Sequence, residues 1–460
     1  MSPRTSGARR VVVVGLGMTG DAVVRWSHAA GDDTIVVEDR VATIAEARLA
    51  AAREAGVPVI PMPEGAAVAP FLAGTDLVVP SPGVPDRHPF VVAARRAGIP
   101  VRAEVDLGAE LLAARGRTLI AVTGTNGKTT VTELTVAMLQ AGGVPAVAAG
   151  NIGAPLLDEA GRLRPEVVVA EVSSFQLAAV TDAFRPRAAV LCNIADDHLD
   201  WHRTFEAYAH AKAKVFAHQG PDDTLVYNAD DPVVSALAAS APGRTRAFTV
   251  AAGAAGYRVI DGAGGRRLVS DDDEVLAEVA DLPAAAPHDL ANALAAAALV
   301  RAVGAPTVGV GEALRSFVRG GHRLGPVAEI DGVRFVDDSK ATNVHAALAA
   351  MQSFDRVVLL AGGRNKGLDL AGLRAGVDHL VAVVAIGEAA GDVVAAFRGT
   401  VPVEIATSME SAVDAAIGFA RPGDVVLLSP ACASFDWYGS YAERGDDFAR
   451  IVHRRAGVAR

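Results

Sequence analysis

The alternation of short apolar runs with long alanine-rich stretches is the feature that most constrains the fold of this 460-residue chain. The runs, among them "RRVVVVG", "TLIAVTG" and "RVVLLAGG", are rich in β-branched residues, and each ends in a glycine, proline or serine loop. Strands that alternate with helical stretches build βαβ units, which assemble into parallel sheets covered by helices. The pattern predicts an α/β protein whose ligands bind where the carboxyl ends of the strands meet the loops.

Three successive blocks of this kind divide the chain, in keeping with a length prior of about three domains. We expect a Rossmann-like domain over residues 1–117, a central phosphate-loop ATPase-like domain with a mostly parallel sheet over 118–318, and a second Rossmann-like domain over 319–460. The last block opens with "VAEIDGVRFVDDS", a run that predicts a β-hairpin.

Charge and cysteine content exclude several classes of protein. The net charge is −10 and no long basic run is present, which argues against a nucleic-acid-binding surface. No apolar run approaches the roughly 18 residues that a membrane helix needs. The two cysteines, Cys192 and Cys432, cannot form a disulfide framework, so a reduced cytoplasmic compartment is expected.

The stretch "AVTGTNGKTTVT", residues 121–132, predicts a strand, a glycine-rich loop and a helix that ends at Gly142 and Gly143. It departs from the usual G-x-x-x-x-G-K-[ST] spacing because Val122 stands where the first glycine belongs. Lys128 would neutralise phosphate charge and the Thr129 hydroxyl would face Mg²⁺. The alternative is an ordinary strand–turn–helix corner with an exposed lysine. We predict a nucleoside triphosphate site with a shortened loop.

Acidic residues and a histidine follow the next two predicted strands. Glu171 ends one strand, and Asp196, Asp197 and His198 come just after the following one. Taken alone, Asp196, Asp197 and Asp200 would form a solvated acidic turn, and His198 would be a hydrogen-bonded loop histidine. At neighbouring strand ends beside a phosphate loop, these residues indicate a site for a hard cation such as Mg²⁺, which prefers oxygen ligands.

Longer motifs extend this pattern over nearly the whole chain. They are "GTNGKTT", "GNIG" (150–153), "EVSSFQL" (171–177), "NIADDHLDWH" (193–202), "YAHAKAKVF" (208–216), "NADD" (228–231), "HR" (322–323), "DDSKATN" (337–343), "GGRNKG" (362–367) and "SPACASFDWYGSYAERGDDF" (429–448). Together they resemble the Mur ligase family of ATP-dependent amide-forming enzymes. The loop alone also fits the wider superfamily, including folylpolyglutamate synthetases, whereas "DSKATN" and "SPACASFD" resemble the members that add D-glutamate.

The resemblance implies a reaction and its reactants. The expected activity is addition of D-glutamate to UDP-N-acetylmuramoyl-L-alanine through an acyl phosphate, giving ADP and phosphate, in cytoplasmic peptidoglycan precursor synthesis. A monomer with small-molecule substrates and no nucleic-acid or membrane partner is expected. A sister ligase that adds another amino acid is the near alternative, and a non-catalytic nucleotide switch is a distant one.

The resemblance also implies roles for individual residues. Those expected at ATP are Gly124, Thr125, Asn126, Gly127, Lys128, Thr129, Thr130, Asn292, Arg323 and Asp338. The catalytic residues are Lys128, Glu171, His198 and Lys212, and the ligands of one or two Mg²⁺ ions are Thr129, Glu171, His198 and Lys212. Lys212 is expected to be carbamylated. From its helical context alone it would be an ordinary solvent-facing lysine.

The substrate-binding residues implied by the resemblance fall into two sets. The nucleotide substrate is assigned to Gly17, Met18, Thr19, Asp39, Arg40 and Ser81, and Asn151 is expected to bind substrate without being assigned to either set. D-Glutamate is assigned to Lys340, Thr342, Lys366, Ser434 and Tyr441. Two positions depart from the family pattern, since Tyr441 replaces a common phenylalanine and Asp289 replaces an asparagine expected near adenine.

The N-terminal block carries a rival interpretation. Gly15, Gly17 and Gly20 follow a strand in the G-x-G-x-x-G spacing, and Glu38 and Asp39 end the next strand about 20 residues on. This is the fingerprint of a dinucleotide site, so an NAD-dependent dehydrogenase is the alternative from another class. A diphosphate on a helix N-terminus would also suit a UDP-sugar.

Overall fold

A computed structural model of the chain describes residues 8–253, 255–262 and 264–457. The described residues form two compact units. The first comprises the residues up to Ile194 together with Ala209–Phe317, and the second comprises Ala195–Tyr208 together with the residues from Val318 onward. The described part of the chain contains three β-sheets, one after another along the sequence.

The N-terminal sheet of the first unit is parallel, with the strand order β3-β2-β1-β4. Its strands are β1 (Arg10–Val14), β2 (Asp33–Glu38), β3 (Val59–Pro61) and β4 (Leu77–Pro80). The helices are α1 (Met18–Ala29), α2 (Glu46–Glu54), α3 (Val68–Leu72), α4 (Pro89–Arg96) and α5 (Glu104–Ala114), with 3-10 turns at Val41–Thr43 and Gly65–Ala67. All residues of β1 are buried, which explains its unbroken apolar run.

The larger sheet of the first unit has the order β13-β12-β11-β10-β9-β8-β5-β7-β6. Its strands are β5 (Thr118–Thr123), β6 (Ala146–Gly150), β7 (Val167–Glu171), β8 (Ala188–Leu191), β9 (Thr224–Asn228), β10 (Arg244–Thr249), β11 (Tyr257–Gly262), β12 (Gly265–Val269) and β13 (Val275–Glu278). The pairs β11–β12 and β12–β13 are antiparallel and the other pairs are parallel. Strand β5 therefore lies between β7 and β8, so the loop that follows β5 is flanked by the ends of both.

The helices in this part of the chain are α6 (Lys128–Ala141), α7 (Leu156–Gly161), α8 (Ser174–Ala178), α9 (Leu199–His202), α10 (Phe205–Ala213), α11 (Pro232–Ala238), α12 (Pro287–Ala302) and α13 (Val310–Ser316), with a 3-10 turn at Val279–Asp281. Helix α9 and the start of α10 belong to the second unit. The predicted end of α6 is confirmed, because Gly142 caps it and Gly143 has a φ of +81°.

The sheet of the second unit has the order β14-β15-β19-β16-β17-β18. Its strands are β14 (Gly325–Ile330), β15 (Val333–Asp337), β16 (Val357–Gly362), β17 (Leu380–Ile386), β18 (Val403–Ile405) and β19 (Val425–Ala431). Its helices are α14 (Val344–Met351), α15 (Ala390–Phe397), α16 (Met409–Phe419) and α17 (Tyr441–Arg455), with a 3-10 segment at Leu370–His379.

The predicted hairpin of the second unit is confirmed as the antiparallel pair β14–β15. Asp331 and Gly332 join the two strands with φ values of +50° and +78°. Two positive φ values in a two-residue loop match the twist of the flanking strands, and Asp-Gly tolerates them. The predicted α/β class with mostly parallel sheets is confirmed. In the described ranges, no helix combines the length and apolar character needed to cross a bilayer.

Glu104, the first residue of α5, is a buried carboxyl group that links α5 to α7. Its Oε1 accepts a hydrogen bond of 2.6 Å from the Leu157 amide, and 2% of the residue is exposed. Burial raises the pKa of Glu104 from 4.5 to about 7, and the nearby Asp158 carboxylate adds to the rise. The folded chain therefore holds this proton more tightly than the unfolded chain.

Replacing Glu104 by glutamine is expected to flatten part of the pH dependence of stability. The contribution of Glu104 is fully present below its usual pKa of 4.5 and is lost as the pH rises through about 7. The melting temperature of Glu104→Gln, measured relative to wild type, should therefore be several degrees higher at pH 8 than at pH 5. The corresponding change in the free energy of unfolding is about 3 kcal/mol at most. Glu110→Gln, on the exposed side of the same helix, is the control. Parallel pH profiles for wild type and Glu104→Gln would contradict this assignment.

Candidate active site

The loop between β5 and α6 is shorter than the usual phosphate loop because its first part belongs to the strand. Val122 lies inside β5, fully buried, and is paired with Glu171 on β7 and Val190 on β8. Gly127 then has a φ of +83° and directly precedes α6. The backbone N–H groups at the start of α6 and the positive end of its dipole are therefore available to an anion.

Asn193, just after β8, holds the loop in place. Its Oδ1 accepts from the Asn126 amide at 2.8 Å, its Nδ2 donates to the Asn126 carbonyl at 3.1 Å, and its own carbonyl accepts from the Thr125 amide at 2.8 Å. Asn193 opens the motif "NIADDHLDWH" but was given no role from the sequence. A polar residue at the end of a strand next to the loop strand was the available signal.

Two lysines converge on one carbonyl oxygen of the loop. Lys128 Nζ donates to the carbonyls of Gly124 (2.9 Å) and Thr125 (2.8 Å). Lys212, on α10, donates to the Gly124 carbonyl at 2.6 Å and is 1% exposed. The interpretation of Lys212 as a solvent-facing lysine is therefore wrong. Both ammonium groups lie against the loop that would surround a phosphate.

The predicted metal ligands Thr129 and Glu171 are adjacent. The Thr129 hydroxyl donates to Glu171 Oε2 at 2.7 Å, and Asn151 Nδ2 donates to Glu171 Oε1 at 2.7 Å. Glu171 is 3% exposed at the end of β7. A hydroxyl and a carboxylate beside a helix N-terminus form the oxygen-rich surrounding that suits a hard cation bound to phosphates. The residues present therefore fit Mg²⁺.

Helix α12 brings Asn292, one of the predicted adenine-side residues, against the loop. Asn292 packs over Gly127, where a side-chain carbon on the glycine would meet the Asn292 oxygen at 2.5 Å. Asp289, the departure from the family pattern, accepts from the Ala286 amide at 3.1 Å and so caps the helix start. Its carboxylate therefore has a structural partner in this chain.

The carboxyl edge of the N-terminal sheet gathers the residues assigned to the nucleotide substrate. Gly17, Met18 and Thr19 begin α1, and the Ser81 hydroxyl donates to the Gly15 carbonyl at 3.0 Å. Any side chain at Gly20 would collide with the Gly15 carbonyl, so this glycine permits the close approach of helix and strand.

The acidic end of β2 argues against the dehydrogenase interpretation. Glu38, not Asp39, turns toward the glycine loop, where its carboxylate accepts from the Leu16 amide at 3.0 Å and the Arg40 amide at 3.2 Å. Asp39 faces outward, with Oδ2 3.5 Å from His88 Nε2. In a dinucleotide site an acidic residue at this place binds ribose hydroxyls. Here the inward carboxylate is already engaged by backbone amides.

In the second unit, Asp338 and Lys340 follow β15. Asp338 accepts from the Ser429 hydroxyl at 2.8 Å, and burial raises its pKa to about 7. Lys340 Nζ lies 3.8 Å from the centroid of the Tyr441 ring, which is a close cation–π contact. The tyrosine that replaces the family's phenylalanine therefore keeps an aromatic face toward this lysine.

A buried ion pair links two other motifs of the second unit. Lys366 Nζ lies 2.7 Å from Asp197 Oδ1, and Asn343 Nδ2 donates to Asp197 Oδ2 at 3.2 Å. From the sequence, Lys366 was assigned to a substrate carboxylate and Asp197 was grouped with Asp196 and His198 as a candidate for the cation site, whereas Asn343 was given no role.

Arg444, also missed, supports the loops around these residues. It is 1% exposed and donates to the Ser339 hydroxyl (2.9 Å), the Ser339 carbonyl (2.8 Å) and the Cys432 carbonyl (3.1 Å). Desolvation lowers its pKa to about 10. Ser434, two residues beyond Cys432, is 2% exposed.

The structure divides the predicted site residues between the two units. The first unit contains Gly17, Met18, Thr19, Asp39, Arg40, Ser81, the loop residues 124–130, Asn151, Glu171, Lys212 and Asn292. The second contains His198, Arg323, Asp338, Lys340, Thr342, Lys366, Ser434 and Tyr441. His198 adopts a left-handed backbone, with a φ of +54°, just before α9. Such strain in a residue other than glycine is often found at functional sites.

The two thiols are not suited to nucleophilic chemistry. Burial raises the pKa of Cys192 and of Cys432 to about 12. At neutral pH both are therefore protonated, and the thiolate that acts as a nucleophile is absent.

Family models match most of the chain. Residues 9–103 match the model described as Mur ligase MurD-like, N-terminal domain, residues 122–300 match the Mur ligase middle domain, and residues 322–432 match the Mur ligase, glutamate ligase domain.

Two relatives share both sequence and length with this chain. The UDP-N-acetylmuramoylalanine–D-glutamate ligase of Frankia casuarinae is 44% identical over 97% of this chain and 94% of its own. The enzyme of the same name from Thermobifida fusca is 41% identical over 98% and 99%.

Solved structures show the same fold at low sequence identity. MurF ligase from Thermotoga maritima, in complex with ADP, superposes with a TM-score of 0.62 at 17% identity and covers 98% of this chain and 96% of that one. UDP-N-acetylmuramate-alanine ligase from the same organism has a TM-score of 0.58 at 19% identity and covers 97% and 99%.

Proposed function

This chain belongs to the Mur ligase family, and we propose that it adds D-glutamate to UDP-N-acetylmuramoyl-L-alanine at the expense of ATP. The observation that carries the proposal is the loop at the start of α6, where Lys128 and the Thr129–Glu171 pair surround the helix N-terminus. The D-glutamate ligases of Frankia and Thermobifida supply the choice of substrates.

The chemistry follows from the poor reactivity of a carboxylate toward an amine. The substrate carboxylate first attacks the γ-phosphate of ATP, which gives an acyl phosphate and ADP. The amine then attacks the acyl carbon, and phosphate leaves from the tetrahedral intermediate. Such transfers depend on positioning and on cationic groups, not on a protein nucleophile. The loop supplies both features, and the two protonated thiols are consistent with this route.

We propose that Thr129 and Glu171 hold a Mg²⁺ ion, which would shield the charge of the phosphates. In the residues that the structure describes, no three His, Cys, Asp or Glu side chains form a metal-binding group, so phosphate oxygens and the threonine hydroxyl would complete the ligand set. A second Mg²⁺, with His198 and a carbamylated Lys212 as ligands, stays a prediction from the resemblance. Burial of Lys212 supports it, because desolvation favours the neutral form of an amine, and the neutral form is the one that reacts with CO₂.

The remaining predicted contacts are proposed for the two other substrates. The start of α1, with Gly17 to Thr19, would bind the UDP diphosphate, because a helix N-terminus attracts phosphate. In the second unit, the cationic and hydroxyl groups would bind the two carboxylates of D-glutamate, by charge-assisted hydrogen bonds. These groups are Lys340, Thr342, Lys366 and Ser434. The domain boundaries after residues 117 and 318, the monomeric state and the cytoplasmic location likewise stay predictions.

Phosphate release tests the proposed reaction. With ATP, Mg²⁺ and UDP-N-acetylmuramoyl-L-alanine, we expect release that depends on D-glutamate and is at least about 100-fold slower with L-glutamate, meso-diaminopimelate or L-lysine. UDP-N-acetylmuramate, which lacks the alanine, is the control for the acceptor. Release with another amino acid alone would indicate a sister ligase. Tight NAD binding without release would favour the dehydrogenase.

A further inference from the structure

The pair formed by Asp197 and Lys366 is an enclosed ion pair within the amino-acid end of the second unit. The two side chains are 7% and 17% exposed, and their charged atoms are 2.7 Å apart. Lys366 is the residue proposed above to bind a carboxylate of D-glutamate. It already has a carboxylate partner, so a substrate that binds Lys366 has to displace that partner.

The carboxylate side of the pair is held by more than the lysine. Asp197 Oδ2 accepts from Asn343 Nδ2, and Asp197 Oδ1 accepts from the His198 amide at 2.9 Å. Asn343 is itself fixed, because its Oδ1 caps α14 through the Ala346 amide at 2.9 Å. Lys366 reaches the pair on a flexible four-carbon stem from the loop after β16. The lysine can therefore move while Asp197 stays in place.

A ligand that took only Lys366 would leave the buried Asp197 without its lysine; the His198 ring, whose Nε2 lies 3.6 Å from Asp197 Oδ2, would offset the charge only if it were protonated. Breaking a buried ion pair in this way is strongly unfavourable. An amino acid avoids the penalty because it carries a carboxylate and an amino group on one carbon. One group can take the lysine while the other takes the aspartate, so these two groups leave the charge around the pair unchanged. The second carboxylate of D-glutamate would go to the other groups proposed above, such as Lys340.

We propose that D-glutamate binds by exchange with this pair, so that a substrate carboxylate accepts from Lys366 and the amino group donates to Asp197. Asp197 is then a substrate-binding residue that holds the nitrogen which attacks the acyl carbon. The bound ammonium has to lose one proton before this attack, and the Asp197 carboxylate, its hydrogen-bond partner, is the group placed to accept it. This inference rests on the proposed function and adds the residue that recognises the amine. It implies that the site selects for an amino group as well as for carboxylates.

Glutarate, which is D-glutamate without its amino group, is the probe for this selection. For wild type, the inhibition constant of glutarate should exceed the KM of D-glutamate by at least about 100-fold, because glutarate brings no donor to Asp197 in place of the Lys366 ammonium group. In Asp197→Asn, the KM of D-glutamate should rise at least about 30-fold. The inhibition constant of glutarate should then differ from the KM of D-glutamate by no more than about fivefold. In Lys366→Met, both ligands should weaken and the ratio should persist.

Formation of the acyl phosphate from ATP does not need D-glutamate, so its rate shows separately whether a variant is folded and still activates the substrate carboxylate. Hydroxylamine added in place of D-glutamate traps the acyl phosphate as a hydroxamate and needs no binding site for an ammonium group. Glu388→Gln, which neutralises an exposed carboxylate paired with Arg364 on the same loop as Lys366, is the matched control and should behave as wild type in both assays. Asp197→Asn should form hydroxamate within about threefold of the wild-type rate while D-glutamate turnover falls.

Two results would overturn the exchange. The first is an unchanged ratio of glutarate to D-glutamate in Asp197→Asn. The second is a parallel loss of hydroxamate formation, which would place Asp197 in the activation step. Failure of the proposed function looks different, since wild type itself would then show no preference for D-glutamate in phosphate release.

Discussion

Replacing Lys128 by methionine is expected to lower kcat about 1,000-fold, the size of effect seen when one preorganised donor to a developing charge is removed. Lys128 Nζ lies against the Gly124 and Thr125 carbonyls at the start of α6, where a triphosphate would bind. Its charge counts most in the transition state, so kcat should fall more than the KM of ATP rises. D-Glutamate-dependent phosphate release is the measurement.

A fold defect has to be separated from this chemical effect. Methionine keeps the length of the side chain, and the melting temperature of Lys128→Met should stay within a few degrees of wild type. Gln140→Met, on the last turn of the same helix and hydrogen-bonded to the Ala146 carbonyl, is the control for a polar-to-methionine change away from the loop. A Lys128→Met variant with wild-type kcat and a raised KM for ATP would contradict a role in the transition state.

Replacing Lys212 by alanine is expected to reduce turnover at least about 100-fold. The change removes a 1%-exposed ammonium group from the Gly124 carbonyl and, if the lysine is carbamylated, also removes an anionic ligand of Mg²⁺. Lys214 offers a matched control because it lies just beyond the same helix and also donates to a backbone carbonyl, that of Ala178. Lys214→Ala should retain turnover within about threefold of wild type.

The carbamate has its own readout. Protein equilibrated with ¹³C-bicarbonate should show one carbamate carbon resonance that is lost in Lys212→Ala and kept in Lys214→Ala. Lys214 is a stringent control, because burial lowers its pKa and so raises the fraction of its amine that is neutral and able to react with CO₂. Normal turnover by Lys212→Ala would exclude a catalytic role for the carbamate. Low turnover by this variant, with no carbamate resonance in wild type, would mean that Lys212 acts only through its hydrogen bond to the loop.

The elements around the phosphate loop could be predicted because their signals are local. The buried run of β5, the glycine at 127 and the helix beginning at Lys128 stand next to one another in the sequence. The hairpin β14–β15 is likewise specified by neighbouring residues, since only two residues, Asp331 and Gly332, join its strands. The substitution at Val122 also had a local meaning, as it extends the strand and shortens the loop.

Residues that act through distant partners could not be predicted in this way. Alternation of buried residues along β2 does not tell whether Glu38 or Asp39 turns toward the glycine loop, because both lie at the strand end. Asn193 was overlooked because a polar residue after a strand is common. Its three hydrogen bonds to the loop exist only once β8 lies beside β5.

The sequence by itself determined the class of fold, the order of its elements and the family, since these depend on periodicity, turn residues and contiguous motifs. Only the tertiary structure decided that Lys212 is buried on the Gly124 carbonyl and that Lys366 already has Asp197 as its partner. Lys366 and Asp197 are 169 positions apart. Charge and burial at such a distance are set by how strands order within a sheet, which no local pattern encodes.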